Sequence, residues 1–105
     1  MESARRQSLF RDVNDRIRAL VTANPSDFLC ECVRVECVEQ MQVSLAAYER
    51  VREVATWFLV KPGHVLPEVE RITETNDAYV VVEKFGLAGS LAHETDPRRR
   101  PAGES

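Results

Sequence analysis

The chain has 105 residues, 44% of them apolar and 30% charged, and a net charge of −3. A chain of this size makes one domain with a small buried fraction, so a metal cross-link would weigh heavily in its stability. Five Arg against three acids in residues 1–23, six basic against twelve acidic side chains in 24–94, and three Arg against two acids in 95–105 make an acidic body with mildly basic ends, which lacks the basic face of a nucleic-acid binder.

Leu9, Phe10, Val13, Ile17, Leu20 and Val21 recur at spacings of three and four, with Arg11, Asp12, Asp15, Arg16 and Arg18 between them. The spacing predicts an amphipathic helix from Ser8 to Ala23 that turns its apolar stripe to the core. The alternative use of that stripe is a partner surface, for instance a homodimer through the N-terminal helix. Asn24-Pro25 stops the helix, because the residue before proline is pushed out of the α region.

Phe28-Leu29-Cys30-Glu31-Cys32 reads as extended, which projects Cys30 and Cys32 to one face and Glu31 to the other. Cys37 returns to that face if the chain turns through Val33 to Glu36. Glu39 to Ser44 alternates, with Met41 and Val43 on one side, as a half-buried strand does. Ser44 is a suitable N-cap for a helix from Leu45 to Val54. Trp57-Phe58-Leu59-Val60 is a buried strand, and Lys61-Pro62-Gly63-His64 is a turn in which Pro fixes φ and Gly supplies a conformation other residues resist.

A strand from Val69 to Thr75 and another from Ala78 to Lys84 flank Asn76-Asp77, a natural hairpin turn. Three consecutive valines, Val80 to Val82, place the second strand centrally, buried on both faces. Gly86 and Gly89 weaken any helix over Leu87 to His93. From Glu94 the composition turns to Asp, Pro, Arg, Gly and Ser, and 94–105 reads as a disordered tail after a single α+β domain over 1–93. The Arg98-Arg99-Arg100 run reads as solvation of that tail rather than as a nucleic-acid contact. The strands are expected in one mainly antiparallel sheet.

No apolar run reaches the roughly 18 residues of a membrane span, and the start of the chain lacks the apolar core of a secretory signal. The chain reads as a cytoplasmic protein. In that reducing compartment clustered thiols favour a metal over disulfides, and an odd number leaves one thiol over in any pairing. Zinc takes four thiolate or imidazole ligands in a tetrahedron. Cys30, Cys32 and Cys37 supply three, and His64, across the fold, is the candidate fourth. The same cysteines could instead be small core hydrophobes. A catalytic zinc would leave one position to water and place a general base such as Glu31 or Glu36 beside it, as in a hydrolase or deaminase. A thiol redox switch, in which oxidation of the thiolates releases the metal, is a third reading.

The succession Phe28-Leu29-Cys30-Glu31-Cys32 with Cys37, Tyr48-Glu49, Val51-Arg52, Phe58-Leu59-Val60, Pro62-Gly63-His64, Pro67-Glu68-Val69-Glu70-Arg71 and Tyr79 to Lys84 resembles a family of small uncharacterised bacterial proteins. Their pattern reads F-L-C-E-C-G-x-x-x-C, then F-L-V-x-P-G-H, then P-E-V-E-R-V and Y-x-V-V-E-K. The resemblance spans Asn14 to Phe85 and implies that the cysteine cluster and the P-G-H turn belong together. It carries no activity. The family's turn after C-E-C is similar to Gly-Asp-Pro-Asp. Here it is Val33-Arg34-Val35-Glu36, without glycine or proline, so a tight knuckle is less well favoured. The expectation drawn from all this is a non-enzymatic, zinc-stapled α+β domain for protein–protein interaction or regulation.

Overall fold

The computed structural model describes residues 2–34 and 36–98, with the backbone alone for residues 2–5. The element order is α1 (Glu2–Leu20), β1 (Ser26–Leu29), β2 (Gln40–Val43), α2 (Leu45–Arg52), β3 (Trp57–Val60), β4 (Glu70–Thr75), β5 (Val80–Lys84) and α3 (Gly86–Glu94). This is an α+β fold. The antiparallel strands divide between two sheets rather than the one expected: a β1–β2 pair and a three-stranded sheet ordered β3–β5–β4.

In the first sheet Phe28 faces Met41 and Ser26 faces Val43 across the ladder. Those four residues are buried while Asp27, Gln40 and Gln42 are exposed, the period-two pattern of a strand with one wet face. Ser44 caps α2 by accepting from the Ala47 N–H at 3.1 Å. Tyr48 of α2 stacks on Phe28, ring centroids 4.4 Å apart and planes 6° from parallel. In the second sheet β5 is central, as its valines predicted, and Val80, Val81 and Val82 are all buried. The β4–β5 turn is built by Asn76, whose Oδ1 accepts from the Ala78 and Tyr79 N–H groups at 2.8 and 2.9 Å.

Three further expectations are corrected. The first concerns α1, whose inner face is polar. Gln7, Arg11 and Asn14, at spacings of four and three, are buried, while Leu9 is 56% and Leu20 83% exposed. The segments beneath the helix present carbonyls that need donors, among them Leu29 O at the end of β1, Ala55 O, and Ala92 O in the last turn of α3. Arg11 donates to Ala55 O at 2.6 Å and Ala92 O at 2.8 Å, with its guanidinium 4.4 Å from the Phe58 ring centre. Buried carbonyls must be paired, and long polar side chains do this where backbone cannot reach. Ile17 alone of the expected stripe packs on the core cluster.

The second correction is α3, which forms despite its glycines. Gly89 is where the helix approaches β5: a Cβ there would sit 2.9 Å from Lys84 O. Its missing side chain is the condition for packing the helix on the sheet, and that packing outweighs a propensity cost of about 1 kcal/mol. The third concerns the tail. Glu94 closes α3, and Asp96 is buried against Arg52, with N–O separations of 2.5 and 3.3 Å. Arg98 reaches Glu49 at 2.9 Å and Asp15 at 3.2 Å. The remainder of the expected tail, 99–105, lies outside the described residues.

Candidate metal centre

The two sheets meet at Glu31. Its N–H donates to Leu59 O at 2.8 Å, and one carboxylate oxygen accepts from the Leu59 N–H at 2.9 Å. The other oxygen accepts from Asn14 Nδ2 at 2.7 Å. Asn14 also takes the Leu29 N–H on its Oδ1 at 2.8 Å and donates to Leu29 O at 2.9 Å. Burial pushes the Glu31 carboxyl up to about 7 even though these donors favour its charged form. Glu31 is therefore anchored on one side of the strand, and Cys30 and Cys32 fall on the other, as the extended reading predicts. Its carboxylate accepts from Leu59 and Asn14.

Cys37 reaches the same side through the turn after Cys32, whose closing bond runs from Cys37 N to Arg34 O at 3.2 Å. Val35, the middle of that turn, lies outside the described residues. The turn lacks glycine and proline, and donors from outside it supply the restraint. Arg6 on α1 donates through Nε to Arg34 O at 2.6 Å and through Nη2 to Cys37 O. Arg34 in turn donates to Gly63 O at 3.2 Å, tying the cysteine turn to the Lys61–His64 turn. The latter is closed by His64 N to Lys61 O at 3.0 Å, with Gly63 at φ +86°, a value that favours glycine. Nothing in the pattern of α1 signals Arg6. It is one of several helix arginines, and its role depends on where the turn docks.

The ligand atoms of Cys30, Cys32, Cys37 and His64 all lie within 4.8 Å of one another. His64 Nδ1 is 3.5 Å from Cys30 Sγ and 3.7 Å from Cys37 Sγ. A tetrahedral zinc with ordinary Zn–S and Zn–N bonds separates sulfur from nitrogen by about 3.6 Å and sulfur from sulfur by about 3.8 Å. The donor set and its spacing therefore fit one ion. Three of the four residues are buried and His64 is partly so. All four predicted ligands are brought together.

The Cys30 sulfur accepts the backbone N–H of Lys61 at 3.2 Å. His64 presents Nε2 to Glu39, 3.5 Å from its carboxylate, and Glu39 also pairs with Lys61 at 3.3 Å. A carboxylate behind an imidazole fixes the tautomer that leaves the other nitrogen free to bind metal. Burial pushes the Cys30 and Cys32 thiols up, and for Cys30 the neighbouring sulfurs add to the rise. A divalent cation supplies the positive charge that three adjacent thiolates need. On its outer side the cluster meets an open cleft of about 410 Å³ lined by Arg34, Glu36, Cys37, Glu39 and His64.

No family model matches the chain, and no match is found among curated proteins or solved structures. Among the described residues no helix is long and apolar enough to cross a membrane.

Proposed function

We propose that Cys30, Cys32, Cys37 and His64 hold one zinc ion in a closed structural site, and that the domain so stapled serves protein–protein interaction or regulation in a reducing cytoplasm. The observation that carries the reading is the convergence of four ligand atoms within 4.8 Å. Thiolate and imidazole are the ligands zinc prefers over magnesium or calcium, which take oxygen. With four protein donors the tetrahedron is filled, which favours a structural over a hydrolytic metal. The pairing of the C-E-C cluster with the P-G-H turn, implied by the family resemblance, agrees with this reading.

The interaction half of the proposal draws support from Leu9 and Leu20, large apolar side chains 56% and 83% exposed on the outer side of α1. The partner is a protein. A homodimer through this face predicts a doubled mass by sedimentation that Leu9→Glu with Leu20→Glu returns to the monomer value. A monomeric wild type assigns the face to another protein.

The site itself is tested by elemental analysis of protein purified without added metal. About one zinc per chain, lost in Cys30→Ser, is the expected result. A content far below that in the wild type, unchanged by the substitution, contradicts the proposal.

A further inference from the structure

The four ligands are not equally enclosed. Cys30 is 0% and Cys32 1% exposed, whereas Cys37 is 7% exposed and is the cysteine that lines the open cleft. Cys37 Sγ also lies within 4.8 Å of Cys32 Sγ, and four residues separate the two in the chain. A small neutral oxidant entering from solvent therefore meets Cys37 first, and the cysteine nearest to it in the chain is Cys32. The Cys30 sulfur already accepts the Lys61 N–H.

We propose that Cys37 is a peroxide-reactive site that opens the metal centre, with Cys32 as its resolving partner and a hydroperoxide as oxidant. The inference rests on the zinc site proposed above. The Cys37 thiolate attacks one peroxide oxygen, and the O–O bond breaks. Hydroxide leaves and takes a proton from solvent, so the peroxide gains two electrons and Cys37 becomes a sulfenic acid. The Cys32 thiolate then attacks the Cys37 sulfur and displaces a second hydroxide. The S–S bond forms, and the two-electron oxidation is now shared by the pair. Two of the four metal ligands are lost, and Cys30 with His64 is too few to retain zinc. The released turn carries the carbonyls of Arg34 and Cys37 that Arg6 holds, so oxidation also loosens the contact between the turn and α1.

The test uses the zinc-loaded full chain. Hydrogen peroxide is added in small excess, zinc release is followed with a chromogenic chelator, and modified cysteines are mapped over time by mass spectrometry with dimedone present. The expected result is dimedone on Cys37 roughly tenfold ahead of the other two cysteines, as its greater exposure dictates. Without dimedone, a Cys32–Cys37 disulfide appears in step with zinc release. Modification of Cys30 or Cys32 first, a Cys30–Cys37 disulfide, or zinc retained after Cys37 has reacted overturns this inference and leaves the structural site standing. Protein that carries no zinc before peroxide overturns both.

Discussion

His64 Nδ1 stands 3.5 Å from Cys30 Sγ although the two residues are 34 positions apart in the chain. A bridge at that point closes a long loop running through β2, α2 and β3, and the entropy it removes from the unfolded chain grows with loop length. Metal bound only by the folded state adds its binding free energy to folding. Chelation is therefore expected to lower the thermal midpoint by on the order of 10 °C or more for a domain of this size. Scanning calorimetry with and without a strong chelator measures it, and an unchanged midpoint in zinc-loaded protein argues against a staple.

The supports of the site are expected to matter nearly as much as its ligands. Glu39→Gln weakens the hold on His64 Nε2, and Arg6→Ala frees the turn between Cys32 and Cys37. Each is expected to weaken metal binding roughly 10- to 100-fold, the usual range for outer-shell partners. Competition with a chelator of known affinity reads this directly. Wild-type affinity in Arg6→Ala would mean that the turn holds its shape unaided.

Asn14→Ala leaves the buried Glu31 carboxylate without one of its donors and removes both bonds to Leu29. An unsatisfied buried acceptor costs about 1–3 kcal/mol, more when charged. Urea denaturation is expected to show a loss at or above the top of that range, with an unchanged m-value. A loss under about 0.5 kcal/mol would place Asn14 among ordinary surface positions.

The gathering of Cys30, Cys32, Cys37 and His64 was legible in the sequence because thiols and imidazole are rare in this chain and metal-binding chemistry is specific about them. Strands β3 and β5 were legible because their continuous apolar runs have one place to go. The face of α1 was not. Apolar periodicity assigns Leu9 and Leu20 to the interior, yet the interior there presents the carbonyls of Leu29, Glu31, Ala55 and Ala92, and Gln7, Arg11 and Asn14 answer them. A helix packed through polar side chains has no signature in hydrophobic spacing. The helix α3 was hidden for a related reason: Gly89 lowers propensity locally, and its value appears only once β5 lies beneath it. Glu39 and Arg6 were unreadable because neither belongs to a motif; proximity alone gives them their roles.

Gly89→Ala tests that close approach. The added methyl would lie 2.9 Å from the backbone oxygen of Lys84, which cannot swing aside as the end of a side chain can. Overpacking of this kind costs about 1–3 kcal/mol, although alanine is the better helix former by about 1 kcal/mol. A net loss of stability is expected by chemical denaturation. A gain would show that α3 is free to shift off the sheet.

Acid is expected to weaken the junction of α1, α2 and the segment after α3. Burial alone would raise the Asp15 and Asp96 carboxyls, but hydrogen bonds and charge from Arg52 more than offset it, and both are held below their usual value. A carboxyl whose folded value is depressed contributes stability that is fully present above its unfolded value, near pH 4, and lost as pH falls through the folded value. Metal-free protein is therefore expected to lose stability below about pH 4, with a shallower slope in Asp96→Asn. At neutral pH that substitution leaves part of the Arg52 charge unpaired and should cost a few kcal/mol. An identical acid limb in wild type and Asp96→Asn would remove Asp96 from the account.

The most direct measurement is zinc-edge X-ray absorption on the protein as purified. The account predicts three sulfurs at about 2.3 Å and one nitrogen at about 2.0 Å, with the imidazole contribution lost in His64→Ala. A shell dominated by oxygen, fewer than three sulfurs, or a spectrum unaltered by His64→Ala would contradict it.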